Sequence, residues 1–589
     1  MKTKSGAKSA KKNSRQALKK ATTKASVKKS GQKAAVKRSG QKPVTKKSTP
    51  KPVTKKTGQK PTAKKSGQKA SAKAPAKRAA AKTPPKATAQ KTTPKAKTKA
   101  AVKIIRKTAT SRKTATSRKT ATSRKTSPKT KTSTKTVAKS KAAKPVKKAA
   151  SRASGLEAIA RLIVAEAKKQ GATDCEVSIR SSQSVDITVR LGVVEQLEGA
   201  QARGIHFGAY VGQKSAACST SDFRRPALKK LVKDTIDLAI ASEEDPFAGL
   251  PDKRYLAKKV PDLGLYDPTI PDIPVEKKIQ LAIDTEAAAL AVDGRLTNSN
   301  GASFSDGGGT TVYANSRGFL GTYEGNYCSL GVSVVASENG EMQTNGWYST
   351  SRKYALLETP EHVGKKAAER ALRQLGGRKV KSQVVPVVFD QQMASRLISQ
   401  FVSAASGRSI DRKSSFLVGK LGQAVAPEFV TITDDPLMIG RLGSRPFDGE
   451  GMPMKRRNII ERGVLMTYLV DAYAARKLEC EPNTSSTGNL YLHAGTQTAE
   501  EIIATVKNGL YLTSVSGPGF NGVTGDYSLG ASGQWIVDGQ LTYPVSGITI
   551  ASNILDMFLG IVAVGNDLEF RSSTNAPTIL IAEMTIAGE

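Results

Sequence analysis

Histidine, cysteine and tryptophan are all scarce: 3, 4 and 2 residues among 589. Cys175, Cys218, Cys328 and Cys480 are scattered with no CxxC spacing, so neither a disulfide framework nor a cysteine zinc site is indicated and a reducing, cytoplasmic compartment fits best. His206, His362 and His493 are each isolated in sequence, which favours ordinary surface or core roles over metal ligation. No apolar run approaches the roughly 18 residues of a membrane span, and the basic N-terminus has no apolar core of a signal peptide. An arginine- and serine-rich transit peptide is disfavoured by lysine dominance and by length. GxSxG, P-loop and HExxH patterns are absent.

The sharpest absence is regional. Residues 1–152 contain 51 Lys and Arg but no Asp, Glu or aromatic residue, which leaves 95 − 51 = 44 basic against 48 acidic residues in 153–589. A segment of this composition cannot bury enough apolar surface to offset chain entropy, so disorder is expected there, with order beginning near Gly155. RKTATS repeats three times from Arg106 and starts again at Arg124, and KSGQK variants recur at Lys29, Arg38, Lys56 and Lys65. Units this short and polar are low-complexity sequence, similar in composition to linker-histone and bacterial histone-like tails. The uncompensated charge predicts nucleic-acid binding, with Arg106, Lys107, Arg112, Lys113, Arg118, Lys119, Arg124 and Lys125 as the repeat's contacts. Without aromatics to stack on bases, that binding should be independent of base sequence. A polyphosphate or an anionic membrane surface is the competing ligand, and solubility alone the bland alternative.

The other 437 residues read as an α+β protein in three domains, 153–250, 251–380 and 381–589. The first is a small α+β unit with a helix at Gly155–Gln170, strands at Cys175–Ser181, Val185–Leu191 and Gly204–Cys218, and a helix at Ala227–Ala241. Asp245–Pro274 is a linker, followed by a middle α/β segment with a helix at Glu276–Val292, strands near Thr310–Ala314 and Cys328–Ala336, and a helix capped by Thr359 with Pro360 in its first turn. The apolar run Val384–Phe389 opens a large β-rich domain that ends in alternating strands such as Thr578–Ile586.

Within that domain Gly517, Gly519 and Gly522 satisfy GxGxxG, but Pro518 and the strand-like text after it favour turn glycines over a dinucleotide loop. Asp448 and Glu450 in PFDGEG could be an acid/base pair; with no metal or nucleophile nearby, a structural role accepting loop amide hydrogens is favoured. Gly517–Ile536, GPGFNGVTGDYSLGASGQWI, with Gly443–Leu478 and Arg412–Leu417, RKSSFL, resembles the C-terminal domain of the TldD/PmbA family, the "modulator of DNA gyrase" type, and within it the PmbA (TldE) branch.

The resemblance implies a metallopeptidase scaffold, in which catalytic members carry HExxxH on the helix that corresponds to Asp390–Ser406. Its motif positions fall here on Ser399, Gln400 and Ala404, and the stretch Val564–Ser573, where the family places a thiolate, has no cysteine. No cofactor is therefore expected in this chain, and a zinc-type metal is expected in a catalytic partner. Arg412, Ser414, Phe447, Asp448, Glu450, Gly525, Asp526, Tyr527, Gly565 and Asn566 are then structural or partner-surface residues. The implied function is that of a non-catalytic subunit paired with a TldD-like chain, or self-associated, in proteolysis of peptides or unfolded proteins. A nucleoid-associated DNA-binding protein with a peptidase-like head is the second reading, and a self-sufficient hydrolase with an unrecognised site the third.

Overall fold

The computed structural model describes residues 145–589, with side chains from Ala153 onward. The basic repeats and the eight repeat residues named above lie outside the described residues. Helix α1 (Pro145–Lys169) begins ten residues before the expected Gly155, so residues 145–152, read as part of the tail, are helical. Pro145 suits a helix start, and the Lys, Ala and Arg that follow are good helix formers without apolar periodicity, which hid the extension.

The first two segments share one antiparallel sheet. Its strands are β1 (Asp174–Arg190), β2 (Val193–Val211), β3 (Lys214–Thr220), β4 (Leu296–Asn315), β5 (Leu320–Glu338) and β6 (Glu341–Ser351), in the order β3-β2-β1-β4-β5-β6. The seam is β1 against β4, in register from Glu176 opposite Asn315 to Val189 opposite Ala302. The two strands expected at Cys175–Ser181 and Val185–Leu191 are thus one, and Gly204–Cys218 is the β2–β3 hairpin. Asn339-Gly340 joins β5 to β6 with both φ positive, the tight turn that matches strand twist.

Two helix pairs cover this sheet. α1 and α2 (Arg225–Ala241) bury Ile163, Val177, Phe207 and Val232 at one end. α3 (Val275–Leu290) and α4 (Pro360–Leu372) bury Ala282, Phe304, Leu330 and Ala367 at the other. As expected, the Thr359 hydroxyl caps α4, accepting from the His362 amide at 3.3 Å.

The C-terminal region opens with β7 (Gln383–Phe389), α5 (Gln391–Ala404) and α6 (Gly407–Asp411). A small sheet follows, built on β8 (Ile432–Asp434), β9 (Arg457–Glu461), β10 (Val464–Leu465), β11 (Leu490–Leu492) and the later β16 (Thr574–Asn575); α7 (Ala472–Lys477) and α8 (Ala499–Ala504) lie between its parts. The larger sheet has β12 (Asn508–Ser516), β13 (Asp526–Val537), β14 (Gln540–Asn553), β15 (Ile561–Val564) and β17 (Ile579–Ala587), in the order β14-β13-β12-β7-β17-β15. Pairing of β14 with β17 closes five of these strands on themselves and covers part of the edge that β14 would otherwise expose. The core beneath contains Phe401 from α5 stacked on Phe558 from α9 (Ile554–Leu559) with centroids 4.0 Å apart.

Candidate functional site

Helix α5 carries Ser399, Gln400 and Ala404, the positions where the resemblance leads one to look for the motif, and its placement is fixed at both ends. Asp390 caps it, accepting from the Met393 amide at 2.8 Å and facing Arg370 at 3.5 Å, while burial pushes its carboxyl above the usual carboxylate range. At the other end the buried Ser415 hydroxyl donates to the Ala404 carbonyl at 2.6 Å, and Phe416 packs edge-on against Phe401. RKSSFL is therefore the strap that fastens α5. In it Lys413 adopts a left-handed φ of 55°, Arg412 caps α6, and the Ser414 hydroxyl donates to the Ser409 carbonyl at 3.3 Å.

Gln391, Gln392, Ser395, Arg396 and Ser399 recur at helical spacing and line one wall of a cavity of about 300 Å³. The opposite wall is Glu569, Arg571, Ser572, Thr574, Asn575 and Ala576, with Tyr348 at its edge. Ser399 is exposed and faces this cavity, whereas Ala404 is buried in the core. Gln400 turns its amide oxygen into the protein, where that atom has no partner among the described residues. The helix thus does not bring the three motif positions to one surface.

Their chemistry, a hydroxyl, a neutral amide and a methyl, does not fit a zinc-type ion, which takes imidazole, thiolate or carboxylate ligands. Among the described residues no group of three or more His, Cys, Asp or Glu is placed to hold a metal. His206 on β2 lies beside Ser219 of β3, His362 is in the first turn of α4, and His493 stacks on Tyr491 with Nε2 2.8 Å from the Thr433 hydroxyl.

The PFDGEG loop is a joint between the two halves of the chain. Phe447 meets Phe319 and Tyr323 of the first sheet edge-on at 5.2 and 5.4 Å, and the Gly451 carbonyl accepts from the Ala257 amide at 2.9 Å. Asp448 accepts from the Glu450 and Met452 amides, both at 2.9 Å, and Glu450 from the Ala472 amide at 3.0 Å. Burial pushes Asp448 up to about 6 and Glu450 up to about 7; Asp471 adds to both, and Asp448 and Glu176 also raise Glu450. Each carboxylate holds loop amides, and neither lines the cavity.

The remaining motif residues shape turns and core. Gly525, at φ 84°, leaves no room for a Cβ against Asn553, whose amide donates to the Thr524 carbonyl at 2.9 Å. Asp526 accepts from the Thr524 hydroxyl at 2.6 Å, and the buried Tyr527 packs in the main core, where burial pushes its phenol up to about 12. The Gly517–Gly525 loop joins antiparallel β12 and β13 and opens no helix, as the turn reading expects. Gly565 donates to the Thr578 carbonyl at 2.7 Å and accepts from the Gly495 amide at 2.8 Å; Asn566 is exposed, its backbone amide on the Gln497 carbonyl at 2.8 Å. Sequence reasoning missed Arg396 and the cavity, although the polar stripe of α5 was visible as the 391, 392, 395, 396, 399 spacing.

Family models of the PmbA/TldA metallopeptidase match this chain in three parts: domain 1 at 175–239, the central domain at 268–375 and the C-terminal domain at 382–588. The chain is 37% identical to the metalloprotease PmbA of Escherichia coli O157:H7 over 430 residues, which covers 73% of this chain and 94% of that protein. Identity to the PmbA homolog of Haemophilus influenzae is 38%, covering 72% and 94%. A crystal structure of a candidate modulator of DNA gyrase from Bacteroides thetaiotaomicron superposes with a TM-score of 0.71 at 31% identity, covering 74% of this chain and 99% of that one. TldE from Thermococcus kodakarensis, at 18% identity and a TM-score of 0.64, shares the fold.

Proposed function

Because this chain belongs to the PmbA/TldD metallopeptidase family, we propose that it is a TldE-type subunit without a metal centre of its own. It works beside a TldD-like chain that carries HExxxH and a zinc-type ion, and the pair cleaves peptides or unfolded protein. The observation that carries this reading is α5. Ser399, Gln400 and Ala404 occupy the motif positions, yet the straps and turns around them, RKSSFL, PFDGEG and VTGDYSLGASG, are intact and hydrogen-bonded. A scaffold kept in this detail around positions that offer no ligand suits a partner role. The β1–β2 turn and the outer half of β2 support it, since Leu191 in the turn and Val193 and Leu197 on β2 are 56%, 66% and 54% exposed. The alternatives are a homodimer and, more distantly, a self-sufficient hydrolase.

The N-terminal 152 residues bind nucleic acid without base specificity, by displacing counterions along the phosphate backbone. In this reading the protein works in the cytoplasm, and at the nucleoid when the tail is engaged. If the tail alone governs its role, the protein is a nucleoid-associated factor with a peptidase-like head, the second reading.

Reconstitution tests the first. The isolated chain should cleave no peptide, and addition of a TldD-like subunit should yield metal-dependent cleavage. At saturating peptide, Ser399→Ala or Gln400→Ala should change the rate of the pair little, whereas replacing the partner's motif glutamate removes the base. Chelator-insensitive cleavage by the isolated chain would move the assignment to a self-sufficient hydrolase.

A further inference from the structure

The cavity beside α5 has most of its polar groups already spoken for. Arg571 holds Glu358 at 2.7 and 3.2 Å, Glu569 at 3.2 Å and the Tyr348 carbonyl at 2.8 Å. The Ser395 hydroxyl donates to the Gln391 carbonyl at 2.7 Å and accepts from the Ala576 amide at 2.9 Å. Asn575 accepts from the Arg571 and Ser572 amides and donates to the Ser572 carbonyl.

What remains unspent is a set of donors. Among the described residues Arg396 makes one hydrogen bond, from Nη1 to the Val515 carbonyl at 3.3 Å, and no ion pair. The Ser399 and Thr574 hydroxyls have no partner among the described residues, and the Gln392 amide nitrogen is free because only its oxygen is used, by Arg370 at 3.2 Å. Glu358 and Glu569 together outweigh Arg571 by one charge, whereas the Arg396 guanidinium has no carboxylate partner among the described residues and stands beside neutral donors. That pattern matches a monoanion with two acceptor oxygens. A phosphate dianion would leave one negative charge unmatched and would face Glu569. A volume of about 300 Å³ lies at the lower limit for small-ligand pockets and far exceeds a bare carboxylate.

We propose that this cavity captures the C-terminal carboxylate of a peptide, with Arg396 pairing the carboxylate and Ser399 and Gln392 donating to the terminal residue's oxygens. The chain then holds the substrate's end without cutting it. The proposal rests on the reading of peptides as substrates, but it requires neither partner nor turnover.

The test is fluorescence anisotropy of an N-terminally labelled, otherwise neutral peptide against the full-length chain alone, compared as free acid and as C-terminal amide. The free acid should bind at least tenfold more tightly, about 1.4 kcal/mol. Arg396→Ala should lose that preference with its melting temperature unchanged, since Arg396 is exposed, and Arg396→Lys should fall between. Equal affinity for acid and amide, no binding of either, or a preference that survives in Arg396→Ala would each overturn the proposal. So would inorganic phosphate displacing the peptide better than acetate at equal concentration, which would assign the cavity to phosphate. Failure here leaves the partner reading standing, and a failed reconstitution leaves this binding unaffected.

Discussion

Replacing Glu450 by Gln should stabilise the protein above neutral pH and make little difference near pH 5. Burial, reinforced by Asp448, Asp471 and Glu176, raises this carboxyl from an ordinary value near 4.5 to about 7. A folded-state value above the unfolded one means that the protonated form favours folding. The contribution is complete below about pH 4 and disappears as pH rises through about 7. The span of roughly 2.5 pH units corresponds to about 3 kcal/mol. For about 437 folded residues the unfolding entropy is roughly 0.9 kcal/mol/K, so the variant should melt about 3 to 4 °C above the wild type at pH 8. Gln keeps the acceptor for the Ala472 amide, which is why no opposing loss is expected. Differential scanning fluorimetry of both proteins from pH 5 to pH 8.5 reads the difference. A constant offset across that range, or a variant that melts lower at pH 8, would refute the reasoning.

Three further outcomes follow from the same structure. Phe401→Ala empties a fully buried, stacked position against Phe558 and should cost about 3 to 5 kcal/mol, read as a large fall in melting temperature. Ser415→Ala strips the end of α5 of its strap, leaving the Ala404 carbonyl and the Leu417 amide without their hydroxyl, at about 1 to 3 kcal/mol in denaturant titration. Removing residues 1–144 should abolish duplex-DNA retention in gel shifts, while the full chain's affinity should fall steeply with salt and not with base sequence.

Local signals carried much of the secondary structure. Thr359-Pro360 marked α4, and the apolar period of Leu156, Ile159, Leu162 and Ile163 marked α1. They could not show β1 lying against β4, because that register joins residues more than a hundred positions apart. The outer half of β2, Val193–Arg203, was invisible for another reason: exposed along its whole length, it has no alternation to read. Asp448 and Glu450 were legible as a carboxylate pair, but the amides they hold and the burial that raises them depend on the first sheet packing against their loop. The candidate cavity joins α5 to residues 569–576, so only its helical wall was written in one stretch of sequence.

Elemental analysis of the purified full-length chain, after gel filtration without chelator, tests the central claim most directly. The account predicts far less than one equivalent of zinc or any other transition metal per chain, with stoichiometric metal appearing only when a TldD-like subunit co-elutes. One equivalent retained by the isolated chain would contradict it.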